Sequence, residues 1–487
     1  MKTNSLFFNS IFNVIYRFLN ILFPLITAAY VARVLDSSLI GEIAYVQNIT
    51  QYFVLTATLG LPNYGTREIA KIRENSRSVN RTFSELLILN SMSTTVCLAL
   101  YTLLILIVQS FRINKILFVI TGLSIVLNYI NVDWMYQGFE QYRYIAVRSF
   151  IVKSVSLIAV LLFVKHNEDY LLYAFITSMA IAGNNIYNIF NLRKFGISLT
   201  LNGISLRKHL IPVFSLLLTT VAIELYTLLD TTMIGMLCSK DNVAFYNYAI
   251  RITKAIIVVM AAIGGVLLPR LSFYRGNGDN ESCSIIVEKT LNILFFLLIP
   301  SAIGLGMCSR EIVIFLYGTK FIKSIPILRI STLLIITLGF SNLFGTQILV
   351  TYNAEKKLLA STFIGAISNI FLNMFLIRLY QGEGAAIASV VSEGLVTLST
   401  YIFAGKYLKI KADKHDIICS IIASIIMTLI IIGIKLCINN ISVLLFAEVS
   451  IGIIVYFVIT ICLKNSVAVY FLNKIKKLGG KRQTTIG

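Results

Sequence analysis

The chain has 487 residues, of which 57% are hydrophobic and only 13% are charged. A soluble domain carries roughly a quarter of charged residues, so this composition excludes an ordinary soluble globular protein and indicates a membrane protein. The net charge of +20 is typical of a membrane protein whose cytoplasmic loops collect Lys and Arg. No basic patch lies on a foldable soluble domain, so we expect no nucleic acid as a partner.

Apolar stretches long enough to cross a bilayer recur along almost the whole chain. We predict about 14 transmembrane helices, each of roughly 20 residues. The least distinct are the fifth span, which is short, and the division between the last two, at Asn439-Asn440. The predicted spans are 11–34, 40–62, 83–109, 115–137, 149–165, 169–192, 210–236, 244–268, 287–308, 327–350, 358–379, 384–404, 416–437 and 441–463.

The loops between these spans alternate between rich and poor in Lys and Arg. Because cytoplasmic loops of membrane proteins collect these residues, the rich loops and both termini are expected in the cytoplasm. An even number of spans agrees with that orientation. The rich set includes Arg67, Lys71, Arg73, Arg77, Arg81, Arg193, Lys194, Arg207, Lys208, Arg270, Arg275, Lys356, Lys357, Lys406, Lys409, Lys411 and Lys414.

The chain also shows a weak tandem repeat of six spans. The turn after span 1 (residues 34–45) is similar to the turn after span 7 (residues 236–246), and spans 2 and 8 both end in Leu-Pro. Both copies enter the membrane from the same side, and transporters commonly bind substrate between halves related in this way. We therefore predict a six-helix lobe at 1–208, a second six-helix lobe at 209–406, and an extra helix pair with a basic tail at 407–487.

Two segments carry a family resemblance. The Leu-Asp-x-x-x-Ile-Gly turn at 35–41 and the run Gly-Leu-Pro-Asn-Tyr-Gly-Thr-Arg-Glu-Ile-Ala at 60–70 resemble the polysaccharide-transporter branch of the multidrug/oligosaccharidyl-lipid/polysaccharide exporters, and O-antigen flippases most of all. The resemblance implies a pair of six-helix lobes in a V that alternate access to a central cavity.

The same resemblance implies a substrate and a location. The substrate would be a polyprenyl-pyrophosphate-linked oligosaccharide, passed from the cytoplasmic to the outer leaflet of the bacterial inner membrane. We expect a monomer surrounded by membrane lipid, in contact with other proteins of polysaccharide assembly.

Embedded cations are the first candidates for a substrate site, because a charge at the bilayer centre costs about 2.5–3.5 kcal/mol and so usually has a function. Arg17, Lys153, Arg251 and Lys254 lie inside spans 1, 5 and 8 and could hold a pyrophosphate. Arg17 could instead extend to the interface, and the two cations of span 8 could pair with acids of span 7. Arg148 is expected at the membrane–water interface.

Neutral polar residues recur at helical spacing in two spans. Tyr45, Asn48 and Tyr52 form a stripe along span 2 and are candidate sugar contacts. Asn and Gln also hold membrane helices together, and we leave both interpretations open for this stripe. Helix association is favoured for the stripe at Asn184, Asn188 and Asn191 in span 6. Trp134, at the end of span 4, has the position of an ordinary interface anchor.

Two acids in span 7 are candidates for ion coupling. Asp230 has Thr227 and Thr231 on its face of the helix, and Glu224 points about 120° away from it. A carboxylate beside hydroxyls can bind Na⁺ or carry H⁺, and some flippases of the resembled family use an acid on span 7 to bind a cation. The alternative is an ion pair with the cations of span 8.

No enzyme signature is found. The sequence contains no P-loop and no nucleophile, zinc-protease or paired-acid motif, so we predict no catalytic residues and no cofactor. Seven scattered Cys and three distant His predict no metal site. Two other functions remain as alternatives: export of drugs or metabolites, which the embedded cations disfavour, and a membrane polysaccharide polymerase or ligase, which usually carries a large outer loop.

Overall fold

The computed structural model describes residues 3–192, 196–200 and 203–483, without the side chains at 3–11, 13–15, 17–18, 215, 218–227, 259–266 and 475–483. These residues form helices joined by short turns, and no strand occurs among them. The α-helices are α1 Thr3–Val34, α2 Ser37–Ala57, α3 Leu61–Ile72, α4 Ser76–Ile107, α5 Gln109–Ile113, α6 Lys115–Val126, α7 Asp133–Gly138, α8 Tyr142–Phe163, α9 Tyr170–Ala182, α10 Asn184–Leu192, α11 Arg207–Leu237, α12 Lys240–Gly276, α13 Asn280–Met307, α14 Ser309–Tyr317, α15 Ser324–Ser331, α16 Leu333–Ser341, α17 Glu355–Ala404, α18 Lys414–Cys437, α19 Ile441–Cys462 and α20 Ser466–Gln483.

The helices confirm the predicted fold class, an all-α protein that crosses the membrane many times. Each predicted span lies on one helix or on a short series of helices. Among the described residues, seven helices are long and apolar enough to cross a membrane, and shorter apolar helices accompany them. Large apolar side chains such as Ile211 and Leu436 are 82% and 83% exposed, as expected where lipid rather than water covers the surface.

Spans 11 and 12 are joined in one long helix, α17, which breaks at Gln381. This residue has φ 52° and ψ −126°, outside the helical region. A Cβ on Gly365 would lie 2.3 Å from Val396 Cγ2, so the two halves of α17 pack against each other as an antiparallel pair. A Cβ on Gly384 would lie 2.0 Å from the carbonyl oxygen of Leu376. Only glycine permits that close approach in the turn.

The last part of span 10 is a π-helix. The span consists of α15, α16 and the π-helix Asn342–Leu349. Span 13 ends at Cys437, and span 14 begins after Asn440, whose side chain accepts hydrogen bonds from the backbone N–H groups of Ser442 and Val443. Asn440 is thus the N-cap that separates the last two spans.

Helices α4 and α13 begin in the same way in the two halves of the chain. The Asn75 side chain caps α4 by accepting a hydrogen bond from the Ser78 N–H. The Asp279 side chain caps α13 by accepting one from the Ser282 N–H. The side-chain and backbone hydrogen bonds from Ser282 also hold the pKa of Asp279 below its ordinary value. The two matching caps support the six-span repeat.

The chain forms two compact units, Met1–Asn247 and Tyr248–Gly487. In the first, Trp134 is 1% exposed and packs against Phe83, with ring centroids 5.7 Å apart. A Cβ on Gly65 would lie 2.7 Å from the Trp134 ring, so α3 also contacts it closely. The expectation that Trp134 is an interface anchor is therefore wrong, because this ring fills the core where α3, α4 and α7 meet.

The second unit has a core that joins the last two spans to α13. The Tyr456 hydroxyl of α19 donates a hydrogen bond of 2.7 Å to the Phe296 carbonyl oxygen. Met427 of α18 lies in the same buried cluster. The extra helix pair is thus packed into the second unit and is part of its core.

Candidate functional site

The polar stripe of α2 lies against α11 within the first unit. The Asn48 amide donates hydrogen bonds to Thr232 Oγ1 at 2.7 Å and to the Leu228 carbonyl oxygen at 3.0 Å. The Tyr52 hydroxyl lies 3.0 Å from Thr232 Oγ1. Thr232 therefore links two residues of the stripe to α11, as expected for polar groups that join membrane helices.

Tyr45, one turn earlier on α2, is enclosed by the end of α11. A Cβ on Gly235 would lie 2.1 Å from the Tyr45 ring, so the ring rests directly on the glycine backbone. The Lys240 ammonium lies 3.5 Å from the Tyr45 ring centroid and donates a hydrogen bond of 2.7 Å to the Gly235 carbonyl oxygen. The stripe is thus engaged in helix packing along its length, and contact with sugars stays a prediction.

The repeated turns meet at the start of α2. A Cβ on Gly41 would lie 1.7 Å from the Lys240 carbonyl oxygen, and the Ser37 hydroxyl donates a hydrogen bond to the Asp241 carboxylate. The glycine of the Leu-Asp-x-x-x-Ile-Gly turn therefore permits a backbone contact between α2 and the start of α12.

Asp230 is buried in the first unit, 5% exposed. Its carboxylate accepts a hydrogen bond of 2.5 Å from the Tyr246 hydroxyl. The neighbouring Thr231 hydroxyl donates to Asn247 Oδ1 at 3.1 Å. The side chains of Glu224 and Thr227 lie outside the described residues, and a role of Asp230 in ion coupling stays a prediction.

Lys153 is half-buried on α8, and its ammonium donates a hydrogen bond to the Asn20 side chain of α1. The contact places a cation at the seam between these two helices, which pack along each other. The side chain of Arg17, the other predicted cation of α1, lies outside the described residues.

The two predicted cations of α12 belong to the second unit. The Arg251 guanidinium lies 5.4 Å from the Tyr248 ring centroid, a distance suited to a cation–π contact. Tyr248 in turn stacks on Phe321, with centroids 4.7 Å apart. The Lys254 side chain is exposed. Arg251 and Lys254 lie in the second unit, whereas the α2 stripe lies in the first.

Arg148 is buried, and the expectation of an interfacial position is wrong. The residue is 4% exposed, and its guanidinium donates hydrogen bonds to both carboxylate oxygens of Asp133, at 2.9 and 3.3 Å. It also donates to the side chains of Asn184 and Asn188. The asparagine stripe of span 6 therefore supplies hydrogen bonds to an ion pair between buried Arg148 of α8 and half-buried Asp133 of α7. The burial of Arg148 could not be inferred from local sequence.

A second buried network, absent from the sequence analysis, surrounds Glu85 of α4. The carboxylate is fully buried and contacts Lys208 Nζ at 2.8 Å, His209 Nε2 at 2.9 Å and Arg81 Nε at 3.2 Å. His209 Nδ1 lies 2.7 Å from the Tyr64 hydroxyl of α3. The network ties the start of α11 to α3 and α4.

A third network joins the extra helix pair to the second unit. Lys435 of α18 lies 2.9 Å from the Glu311 carboxylate of α14 and 3.4 Å from the Glu448 carboxylate of α19. Its ammonium also donates to the Met307 carbonyl oxygen at 2.7 Å. Among the described residues, no group of three or more His, Cys, Asp and Glu side chains could hold a metal ion.

These features define a class: a multi-pass, all-helical membrane protein with charged and polar side chains inside its spans. The chain belongs to the polysaccharide biosynthesis protein family, whose model matches residues 6–274. A second family model, MatE, matches residues 216–375.

Two relatives extend this assignment. The "Putative O-antigen transporter" of Escherichia coli (strain K12) is 24% identical over 407 residues, which cover 83% of this chain and 98% of the relative. The "Probable low-salt glycan biosynthesis flippase Agl15" of Haloferax volcanii is 23% identical over 257 residues, which cover 52% of this chain and 53% of that protein.

A solved structure shows the same fold. The chain superposes on a lipid II flippase MurJ in an inward closed conformation with a TM-score of 0.73, at 19% sequence identity, over 97% of this chain and 99% of that one. At 19% sequence identity, this similarity shows the fold alone.

Proposed function

We propose that this chain is a flippase that moves polyprenyl-pyrophosphate-linked oligosaccharide repeat units from the cytoplasmic to the outer leaflet by alternating access. The observation that carries the proposal is the relationship to an O-antigen transporter, which extends over 83% of this chain and 98% of that protein. The chain acts as a transporter in this proposal, without catalytic residues.

The cation at the α1–α8 seam supports an anionic substrate. Lys153 is half-buried and hydrogen-bonded to a neutral partner, Asn20, so its charge is available to a ligand anion. Arg17 stands three positions before Asn20 in the sequence. A pyrophosphate could take charge-assisted hydrogen bonds from both cations, and the polyprenyl tail would stay in lipid.

The polar residues of two other helices supply further contacts in the proposal. Arg251 and Lys254 of α12 are further candidate cations for binding the anion. Tyr45, Asn48 and Tyr52 could bind sugar hydroxyls in a conformation in which they leave α11, because a sugar hydroxyl can replace the hydroxyl and carbonyl partners that they have in the packed seam.

The energy source in this proposal is an ion gradient or the membrane potential. Asp230 is the first candidate for the coupling residue, since a buried carboxylate held by the Tyr246 hydroxyl can exchange a proton or a Na⁺ ion as its surroundings change. Glu224, in the same helix, is the second candidate.

The proposed setting is the bacterial cytoplasmic membrane with both termini in the cytoplasm. The alternation of Lys- and Arg-rich loops supports that orientation. We propose that the chain works as a monomer, that 1–208 and 209–406 are its two lobes, and that 407–487 is an accessory pair with a basic tail. Other membrane proteins of polysaccharide assembly are its proposed partners.

Deletion of the gene in its own bacterium tests the proposal. The account predicts that polyprenyl-pyrophosphate oligosaccharide accumulates in membranes, that surface polysaccharide is lost, and that the intact gene restores both. Normal surface polysaccharide with no accumulated lipid-linked glycan would contradict it. Increased drug sensitivity without any glycan defect would favour a drug exporter instead.

A further inference from the structure

The second unit contains a cavity of about 640 Å³ between the end of α12, the first half of α13 and α20. The residues that line it include the apolar Leu267, Ile293 and Val467, which we call its apolar wall, and the cationic Arg270 and Lys289. A cavity with two cations beside an apolar wall suits a ligand that carries both an anionic group and a hydrocarbon chain.

The two cations are available to such a ligand. Arg270 and Lys289 are both exposed, and neither forms an ion pair with a carboxylate among the described side chains. Lys289 follows the N-cap Asp279 of α13 at the same distance in sequence as Glu85 follows the N-cap Asn75 of α4. The Glu85 carboxylate is covered by Lys208 and His209. The second half therefore has an open cationic cavity where the first half has a closed, neutralised network.

Helix α20 adds features of a membrane-surface helix. It places Tyr470 and Phe471 at the cavity, and aromatic side chains favour the headgroup level of a bilayer. Its sequence continues with Lys474, Lys476, Lys477, Lys481 and Arg482. A basic helix with aromatic residues is typical of binding to a surface of anionic lipids.

We propose that this cavity binds one anionic phospholipid of the cytoplasmic leaflet. The lipid phosphate lies between Arg270 and Lys289, and an acyl chain follows the wall of Leu267, Ile293 and Val467. The lipid is a resident ligand that attaches α20 to α13, distinct from the transported glycolipid. The inference goes beyond the proposed function but rests on its orientation, with the basic loops in the cytoplasm.

Bulk phospholipid is favoured over the transported lipid by the position of the cavity. It is formed partly by α20, which lies outside both six-span repeats. The cation-rich sequence in which α20 continues suits an extended anionic surface more than a single cargo molecule. A cavity of this volume accommodates a headgroup and the first part of an acyl chain, with the remainder of the chain in the surrounding bilayer.

The test is native mass spectrometry of the full chain in detergent, with palmitoyl-oleoyl phosphatidylglycerol or the corresponding phosphatidylcholine added. The wild type is expected to retain one phosphatidylglycerol in preference to phosphatidylcholine. Arg270→Gln with Lys289→Gln should weaken that retention about tenfold, or 1.4 kcal/mol. The matched control, Arg275→Gln with Lys356→Gln, removes two exposed charges of the same unit outside the cavity and should retain phosphatidylglycerol like the wild type.

Three results would overturn the proposal. Retention by the cavity variant within twofold of the wild type would show that these cations do not bind the lipid. Equal loss in the control would show a general effect of charge. Displacement of phosphatidylglycerol by equimolar undecaprenyl phosphate would assign the cavity to the transported lipid. Glycan transport is measured separately on the same variants, so that failure of lipid retention and failure of the proposed function are told apart.

Discussion

Asn48 of α2 and Thr232 of α11 are joined by a hydrogen bond of 2.7 Å between residues 184 positions apart in the sequence. Tyr52 contacts the same hydroxyl at 3.0 Å. A stripe with the composition of a sugar-binding surface therefore lies in the contact between two helices. In this structure its side chains join α2 to α11. Its part in transport depends on how easily the seam opens.

A double-mutant cycle measures the strength of this seam. Asn48→Leu and Thr232→Val should each destabilise the protein, and their coupling should be about 0.6–1.7 kcal/mol, the range for hydrogen bonds between membrane helices. The measurement is reversible unfolding in mixed micelles. Additive effects, with no coupling, would show that the hydrogen bond contributes nothing to stability.

Arg148 should be essential for stability. Arg148→Met leaves Asp133 without its bidentate partner and should cost roughly 3 kcal/mol, as expected when one member of a buried pair is removed. Arg143, an exposed residue of the same helix, is the matched control, and Arg143→Met should change stability by less than about 0.5 kcal/mol. Equal melting temperatures for the two variants would contradict the buried network.

Lys435 should hold the extra helix pair to the second unit. Lys435→Met leaves the buried carboxylates of Glu311 and Glu448 without their shared ammonium and should destabilise the protein by about 3–5 kcal/mol. Adding Glu311→Gln and Glu448→Gln should recover much of that loss, because the uncompensated charge is then removed. Thermal unfolding in detergent distinguishes these outcomes, and failure of the triple variant to recover stability would contradict the ion-pair account.

Substitution of Asp230 separates the ion coupling of transport from the binding of substrate. Asp230→Asn should reduce gradient-driven transport while binding of lipid-linked substrate remains measurable, because the change removes the titratable group. Tyr246→Phe, which removes only the hydroxyl that donates to Asp230, should have a smaller effect. If Asp230→Asn transport stays fully dependent on the gradient, the residue is structural.

The sequence predicted the helices well because hydrophobic length is a local property. All predicted spans lie on helices, including the two that α17 joins across the break at Gln381. The embedded charges were found for the same reason, since a single Lys or Arg stands out in an apolar run.

Partners of the buried charges could not be predicted, because they lie far away in the chain. Glu85 meets His209 across 124 residues, and Lys435 meets Glu311 across 124 residues. No feature of the local sequence indicates that Glu85 pairs with His209 or that Lys435 pairs with Glu311. The asparagines of span 6 were assigned correctly to helix association, but their partner Arg148 was expected at the interface.

The central claim is tested most directly by flipping in proteoliposomes, with a fluorescent polyprenyl-pyrophosphate oligosaccharide and a membrane-impermeant quencher. Wild-type protein should make the inner-leaflet label accessible under an ion gradient. Arg17→Ala and Lys153→Gln should abolish or strongly reduce flipping, with folded protein at normal yield, whereas Arg143→Gln should not. Two results would contradict the account. One is that folded wild-type protein does not flip a glycolipid that accumulates in the deletion strain. The other is that all four proteins flip it equally.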